Sequence, residues 1–169
     1  MKKVFNLLFA LCIITLTLIQ MSCNKDSEFG SVPYENAEDS DSLMTKIHLE
    51  VDGFENLEGK LAIAIFNTEQ SFNDGNETYK DSTLSINAYN MEVIIDDIDP
   101  GEYVISIFHD FDENGELTLT SFLGFDIPAE GFGFSNNPTI GFSQPTYNDC
   151  RFNVEEQETL IVPITLQYL

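Results

Sequence analysis

From residue 45 the chain alternates apolar and polar side chains with a period of two, as strands do when they bury one face. "TKIHLEVDGF" sets Ile47, Leu49 and Val51 against His48, Glu50 and Asp52. "EGKLAIAIFN" follows, with Leu61, Ile63 and Ile65 on one face and the small Ala62 and Ala64 on the other. A glycine-containing turn over 56–59 is expected to join the two as a hairpin. The polar run 67–82 reads as a long loop in which Phe72 and Tyr79 fold back as plugs. "STLSINAYNMEVIIDDI" gives one bent strand or two short ones, and Pro100 and Gly101 make a turn. "EYVISIFHD" is the clearest strand, with Tyr103, Ile105, Ile107 and His109 on one face. Residues 121–148, rich in Phe and Gly, read as a structured excursion, and two last strands lie around "CRFNVEE" and "TLIVPITLQYL". No stretch carries a helical stripe, so helices are at most single turns. The pattern predicts an all-β domain over 44–169: one Greek-key sandwich of immunoglobulin or prealbumin type, with about seven antiparallel strands.

The first 43 residues obey a different rule. Lys2 and Lys3 precede an apolar run from Val4 to Ile19, and the small Ser22 stands directly before Cys23. Residues 1–22 therefore read as a lipoprotein signal peptide and Cys23 as the lipid-bearing first residue of the mature chain, although Gln20 stands where a leucine is usual. A membrane-spanning helix is the competing reading, but the run is shorter than the roughly 20 residues a bilayer requires. Residues 23–43 carry six acidic residues against one lysine and no apolar periodicity, and read as a disordered acidic tether. Such a tether reaches about 25 Å. The run Lys25-Asp26-Ser27-Glu28 resembles the acidic tags that carry some bacterial lipoproteins to the outer face of the outer membrane. The expected address is the cell envelope, lipid-anchored at the outer membrane on its periplasmic or surface face.

Charge narrows the partners. The 169 residues hold 29 acidic against seven basic side chains, a net charge of −22. Once Lys2 and Lys3 leave with the signal, five basic residues remain and the net charge is −24. Nucleic acid is excluded as a partner, anionic lipid and acidic polysaccharide are disfavoured, and divalent cations are attracted. The expected partners are the membrane, through the lipid anchor, and an envelope protein or glycan. Cysteine usage adds no chemistry: Cys12 lies in the signal, Cys23 takes lipid, and Cys150 alone cannot form an internal disulfide. In "NDCRFNV" Cys150 reads as a packed side chain, not a nucleophile.

One loop, "HDFDENGELTL" over 109–119, carries candidate chemistry. Asp110, Asp112 and Asn114 offer oxygens at alternate positions, Gly115 follows at the bend, and the Glu116 carbonyl and Thr118 continue the series. Calcium loops use this spacing because a hard cation needs six to eight oxygens around it. Ser121 stands where such a loop needs a bidentate carboxylate, so Asp126 or Glu130 would have to complete the shell. An incomplete shell of this kind implies a dissociation constant of about 10⁻⁴–10⁻³ M. The competing reading is a polar connection between strands, since Asp, Asn and Gly are also what turns select. His109 reads as a strand-end anchor, because calcium avoids imidazole.

"GFGFSNNP" also divides. Phe132, Phe134 and Phe142 could form an apolar or sugar-stacking platform with Asn136 and Asn137 beside it, or cap the open end of the sandwich while Gly131, Gly133 and Gly141 permit turns. Ser135 has no histidine partner that would make it a nucleophile. Asp110 and Glu130 could serve as the paired acids of a hydrolase acting on envelope glycans. Acid pairs arise readily among 29 acidic residues, and a non-enzymatic binding or structural module is the preferred reading.

Four segments, "VDGFENLEGKLAIAIFN", "IDPGEYVISIFHDFDENGELTL", "FLGFDIPAEGFGFSNNP" and "GFSQPTYNDCRFNV", together resemble the bacterial family called domain of unknown function 2141, over about residues 46–168. The resemblance implies a secreted or lipid-anchored β-sandwich, prealbumin-like, with no established activity.

Overall fold

The apolar rows of the sequence become the facing inner surfaces of two sheets. The computed structural model describes residues 44–141 and 143–169; the segments read as signal peptide and tether, Cys23 with them, and Phe142 lie outside the described residues. Ten strands and two short helices follow in the order β1 (Lys46–Asp52), β2 (Lys60–Phe66), α1 (Glu69–Asp74), β3 (Lys80–Ser85), β4 (Met91–Ile95), β5 (Gly101–Asp110), β6 (Leu119–Phe122), β7 (Phe125–Pro128), β8 (Phe132–Phe134), α2 (Tyr147–Cys150), β9 (Phe152–Val154) and β10 (Thr159–Thr165). One sheet has the order β10-β1-β4, the other β3-β2-β5-β8 with β9 pairing the start of β5, and β6 and β7 form a separate two-stranded hairpin. Ile47, Leu49 and Val51 of β1, with Val162 and Ile164 of β10, meet Leu61, Ile63 and Ile65 of β2 and Ile105 and Ile107 of β5 in one core. Each is 5 % exposed or less, and burying side chains of this size contributes about 1.5–3 kcal/mol apiece. The fold is an all-β sandwich, as the alternation predicts.

Pairing differs from expectation in two places, the partner of β1 and one parallel pair among the expected antiparallel strands. β1 and β2 do not form a hairpin: they lie in different sheets, and residues 53–59 cross between the layers with Phe54 buried at the crossing. A period of two fixes which face of a strand is buried and leaves its neighbour open, so the sequence pattern fits either arrangement. The neighbours of β1 are β4, antiparallel, and β10, parallel in the register Lys46↔Thr159 to Asp52↔Thr165. That parallel pair joins the first and last strands of the domain, where no tight turn imposes an antiparallel partner. The strands beyond the expected seven are mostly segments of three or four residues.

The expected loop over 67–82 holds helix α1 and the start of β3. The Thr68 side chain accepts the Ser71 N–H at 3.1 Å to start the helix, and Gly75, with φ of 64°, ends it. Phe72 is indeed a plug, 1 % exposed. It sits in a second apolar cluster with Phe66, Val104, Tyr147 and Cys150, by which α1 and α2 cover one end of the outer face of the second sheet. Cys150 is fully buried there and its thiol is pushed up to about 12, so it packs and does not react. The described residues fall in one compact unit that contains both clusters.

Burial raises the acid groups of Tyr103, Tyr147 and Tyr168 above the usual tyrosine range, as it raises Cys150. Their neutral forms are favoured in the folded state, so their contribution is complete below the unfolded values near 9–10 and is lost as pH rises through the folded ones. The urea midpoint of residues 37–169 should therefore fall steadily between pH 9 and 12, and a flat alkaline profile would contradict this assignment.

Candidate metal centre

Strand β5 ends by carrying His109 and Asp110 to the rim of the sandwich, both buried. The His109 Nε2 lies 2.7 Å from the Glu58 carbonyl and its Nδ1 2.8 Å from the Tyr168 hydroxyl. A carbonyl only accepts, so Nε2 carries the proton, and in the neutral ring Tyr168 donates to Nδ1. His109 thus anchors the strand end, in line with its reading from sequence. Gly59 closes over the same point. Its φ is +72°, and a Cβ there would collide with the Asp110 carbonyl and the Phe111 Cα.

Beyond Asp110 the chain folds into the oxygen-rich loop. The two Asp110 carboxylate oxygens accept the backbone N–H groups of Asn114 at 3.0 Å and Gly115 at 3.1 Å. Asp112 accepts from the backbone of Asn114 at 3.2 Å and from its side-chain amide at 3.0 Å. The Asn114 amide also donates to Thr118 at 3.0 Å, while its oxygen accepts the Glu116 N–H at 2.7 Å. Glu130 arrives from the far side of the β6–β7 hairpin, 8 % exposed, and accepts the N–H groups of Phe111 and Thr118, both at 2.9 Å. Its carboxylate therefore clasps the two ends of the loop together. One carboxylate oxygen each from Asp110, Asp112 and Glu130 lie within 4.8 Å of one another.

Three carboxylates at that separation repel unless something positive stands between them. Backbone and amide N–H groups supply part of the compensation. Lys60 supplies another part at the rim: it pairs with Glu113 at 2.7 Å, and its ammonium is held above the usual lysine range by Glu113 first and more weakly by Asp110. Each Asp110 and Glu130 oxygen that accepts one N–H keeps a second lone pair, so the cluster can still offer oxygens to a hard cation. The fit is partial. Asn114 would have to turn its amide so that oxygen faces the cluster, and Glu116 would contribute its carbonyl.

Of the two carboxylates expected to complete the shell, Glu130 joins the cluster; Asp126 lies on β7, outside it. Glu130 was legible as a candidate, but its clasp on Phe111 and Thr118 was not, because it depends on how the hairpin returns. Phe132 and Phe134 lie on β8, buried and half-buried, packed edge to face at 6.2 Å. Gly133 between them faces inward, where a Cβ would come within 2.7 Å of Ile164, so this glycine serves close sheet approach and not a turn. Asn136 donates to the Arg151 carbonyl at 2.8 Å. Asn137 donates to the Pro163 carbonyl at 3.0 Å and accepts the Thr165 N–H at 2.8 Å, so its side chain acts as a surrogate strand on the edge of β10. Ser135 is buried, accepts the Ile105 N–H at 3.0 Å and donates to the Cys150 carbonyl at 2.6 Å.

The fold and the rim together define a class: an all-β sandwich whose longest central strand ends in a clasped acidic loop. A family model described as an uncharacterized protein conserved in bacteria, DUF2141, matches residues 49–162. The chain belongs to that family. No curated protein and no solved structure shows a significant match to it.

Replacing Gly59 by Ala should cost at least about 2 kcal/mol, because the left-handed conformation and the collision with the Asp110 carbonyl add. Gly115→Ala, at φ of +80° with open space around it, should cost only about 1 kcal/mol. Urea unfolding of the two variants checks this, and equal losses would contradict the packing of Gly59 on the loop root.

Proposed function

We propose that the mature chain is a lipid-anchored envelope module without catalytic activity, which uses a calcium-held rim to present the β6–β7 hairpin to a partner protein. The observation that carries the reading is the meeting of Asp110, Asp112 and Glu130 within 4.8 Å, two of them buried, at the roots of that hairpin. Asp110 and Asp112 precede β6 and Glu130 follows β7, so a cation among them would tie both ends of the hairpin to the sandwich. The hairpin exposes Leu119, Phe122, Leu123 and Phe125, each more than half exposed, which is the composition of a docking surface. In a chain of net charge −22 the segment 117–125 carries no charge at all.

The Cys23 motif and the acidic segment after it support anchoring at the outer membrane, and the acidic balance supports a divalent cation as partner. Asp110 and Glu130 are close enough to be a hydrolase pair, but their surroundings favour a structural role. Every one of their four oxygens accepts a backbone N–H. Neither side chain is among those lining the cavity of about 440 Å³ on the outer face of the second sheet. A glycan-stacking role for Phe132 and Phe134 is likewise less favoured than a protein partner, because Phe132 is buried and Phe134 half-buried in the wall of that cavity and neither offers an open platform.

With a dissociation constant near 0.5 mM, 5 mM calcium stabilises the folded form by about 1.4 kcal/mol, a rise of about 4–6 °C in melting temperature for a domain of this size. Thermal melts of residues 37–169 in calcium and in chelator should show that rise, and Glu130→Gln should remove it. An unchanged melting temperature in millimolar calcium would retire the cation.

A further inference from the structure

A cavity of about 440 Å³ opens on the outer face of the second sheet, and its origin is visible in the strand register. On that face β2 and β5 present Phe66 opposite Val104, then Ala64 opposite Ser106, then Ala62 opposite Phe108. The first pair is covered by α1 and α2. The second pair is small on both strands, so the sheet has a pit there, with Ala64 and Ser106 as its floor. Phe66, Phe72, Phe108, Phe132 and Phe134 line it. Ile127 and Pro128 of β7 also line it. The volume lies within the roughly 300–1,000 Å³ of small-molecule sites, and apolar walls with a few polar groups are their usual composition.

The charges of the lining are one-sided. Among the described residues, Asp74, at the end of α1, and Asp126, on β7, are its only charged side chains, both exposed and so at the mouth, and no basic side chain lines it. An anionic ligand would meet these two carboxylates and the field of a chain with net charge −22. A cation would be attracted by both, and aromatic faces attract cations further.

We propose that this cavity binds a small organic cation, an ammonium group on an aromatic or aliphatic body, with the body against the phenylalanines and the charge at Asp74 and Asp126. This site does not depend on lipid anchoring, and it is linked to the rim through the β6–β7 hairpin, whose Asp126, Ile127 and Pro128 line it. Its lining shares no residue with Asp110, Asp112 and Glu130.

Fluorescence titration of residues 37–169 tests it with dansylcadaverine, which joins an aromatic body to a free ammonium, and with anilinonaphthalene sulfonate, an anion of similar size. Saturable one-to-one binding of dansylcadaverine is expected, at least about tenfold tighter than the anion. Ala64→Phe, which fills the floor, should abolish it, and Ser106→Phe should do the same if Ala64→Phe does not fold. The exposed pair Asp74→Asn with Asp126→Asn should weaken the cation about fivefold or more and leave the anion no weaker. Absence of saturable binding, equal affinity for the anion, or cation binding that survives filling of the floor would each overturn the proposal.

Discussion

Burying a carboxylate costs several kcal/mol unless donors or cations compensate it, and the rim of this sandwich buries two. Asp110 and Glu130 are 2 % and 8 % exposed and stand within reach of a third carboxylate, Asp112. Four backbone N–H groups answer them, from Phe111, Asn114, Gly115 and Thr118. Those donors all come from the one loop, so the loop takes its shape from the need to satisfy the acids. The same constraint positions the β6–β7 hairpin, since Glu130 fixes its return by gripping residues on both sides of the loop. Removing Glu130 would therefore loosen a segment and not merely delete a charge.

Support for that rim comes from beneath. His109 is pinned between the Glu58 carbonyl and Tyr168, and Gly59 is folded tightly against the Asp110 backbone. The crossover between the two sheets and the last residues of the chain thus converge on the end of β5. On the opposite side of the second sheet the packing is looser, and the side-chain sizes explain it. Where Phe66 and Val104 face outward the helices cover them; where Ala64 and Ser106 face outward no described residue of comparable bulk fills the space, and a cavity results. Asp110 alternates with Phe108 and Ser106 along β5, so the rim and the cavity share the outer face of that strand.

The apolar alternation made the sandwich legible because a strand with one apolar face has few places to put it. Ile47, Leu49 and Val51, and Ile105 and Ile107, are buried as the pattern requires. Neighbour choice was not legible: the same rows that suggested a β1–β2 hairpin serve equally well in two different sheets, and the parallel β1–β10 pair spans more than 100 residues of sequence. Helix α1 left a signal that periodicity does not register, Thr68 at its start and Gly75 just past its end. At the rim, Asp110, Asp112 and Asn114 were visible as a spaced set of oxygens, whereas the grip of Glu130 arises only when the hairpin folds back. The cavity had a fainter trace in sequence, the small Ala62 and Ala64 on the face away from the core, but its other walls come from distant segments, among them α1, β5, β7, β8 and residues 140–141 and 143–144.

A crystal structure of residues 37–169 grown in millimolar calcium decides whether the buried acids at the end of β5 form one oxygen cage. A single ion is expected, bonded to Asp110, Asp112 and Glu130 oxygens at about 2.3–2.6 Å, with the Asn114 amide turned so that its oxygen faces the ion. An ordered loop in that crystal with the Asn114 amide nitrogen still on Asp112, and no ion among the three carboxylates, would contradict the cage.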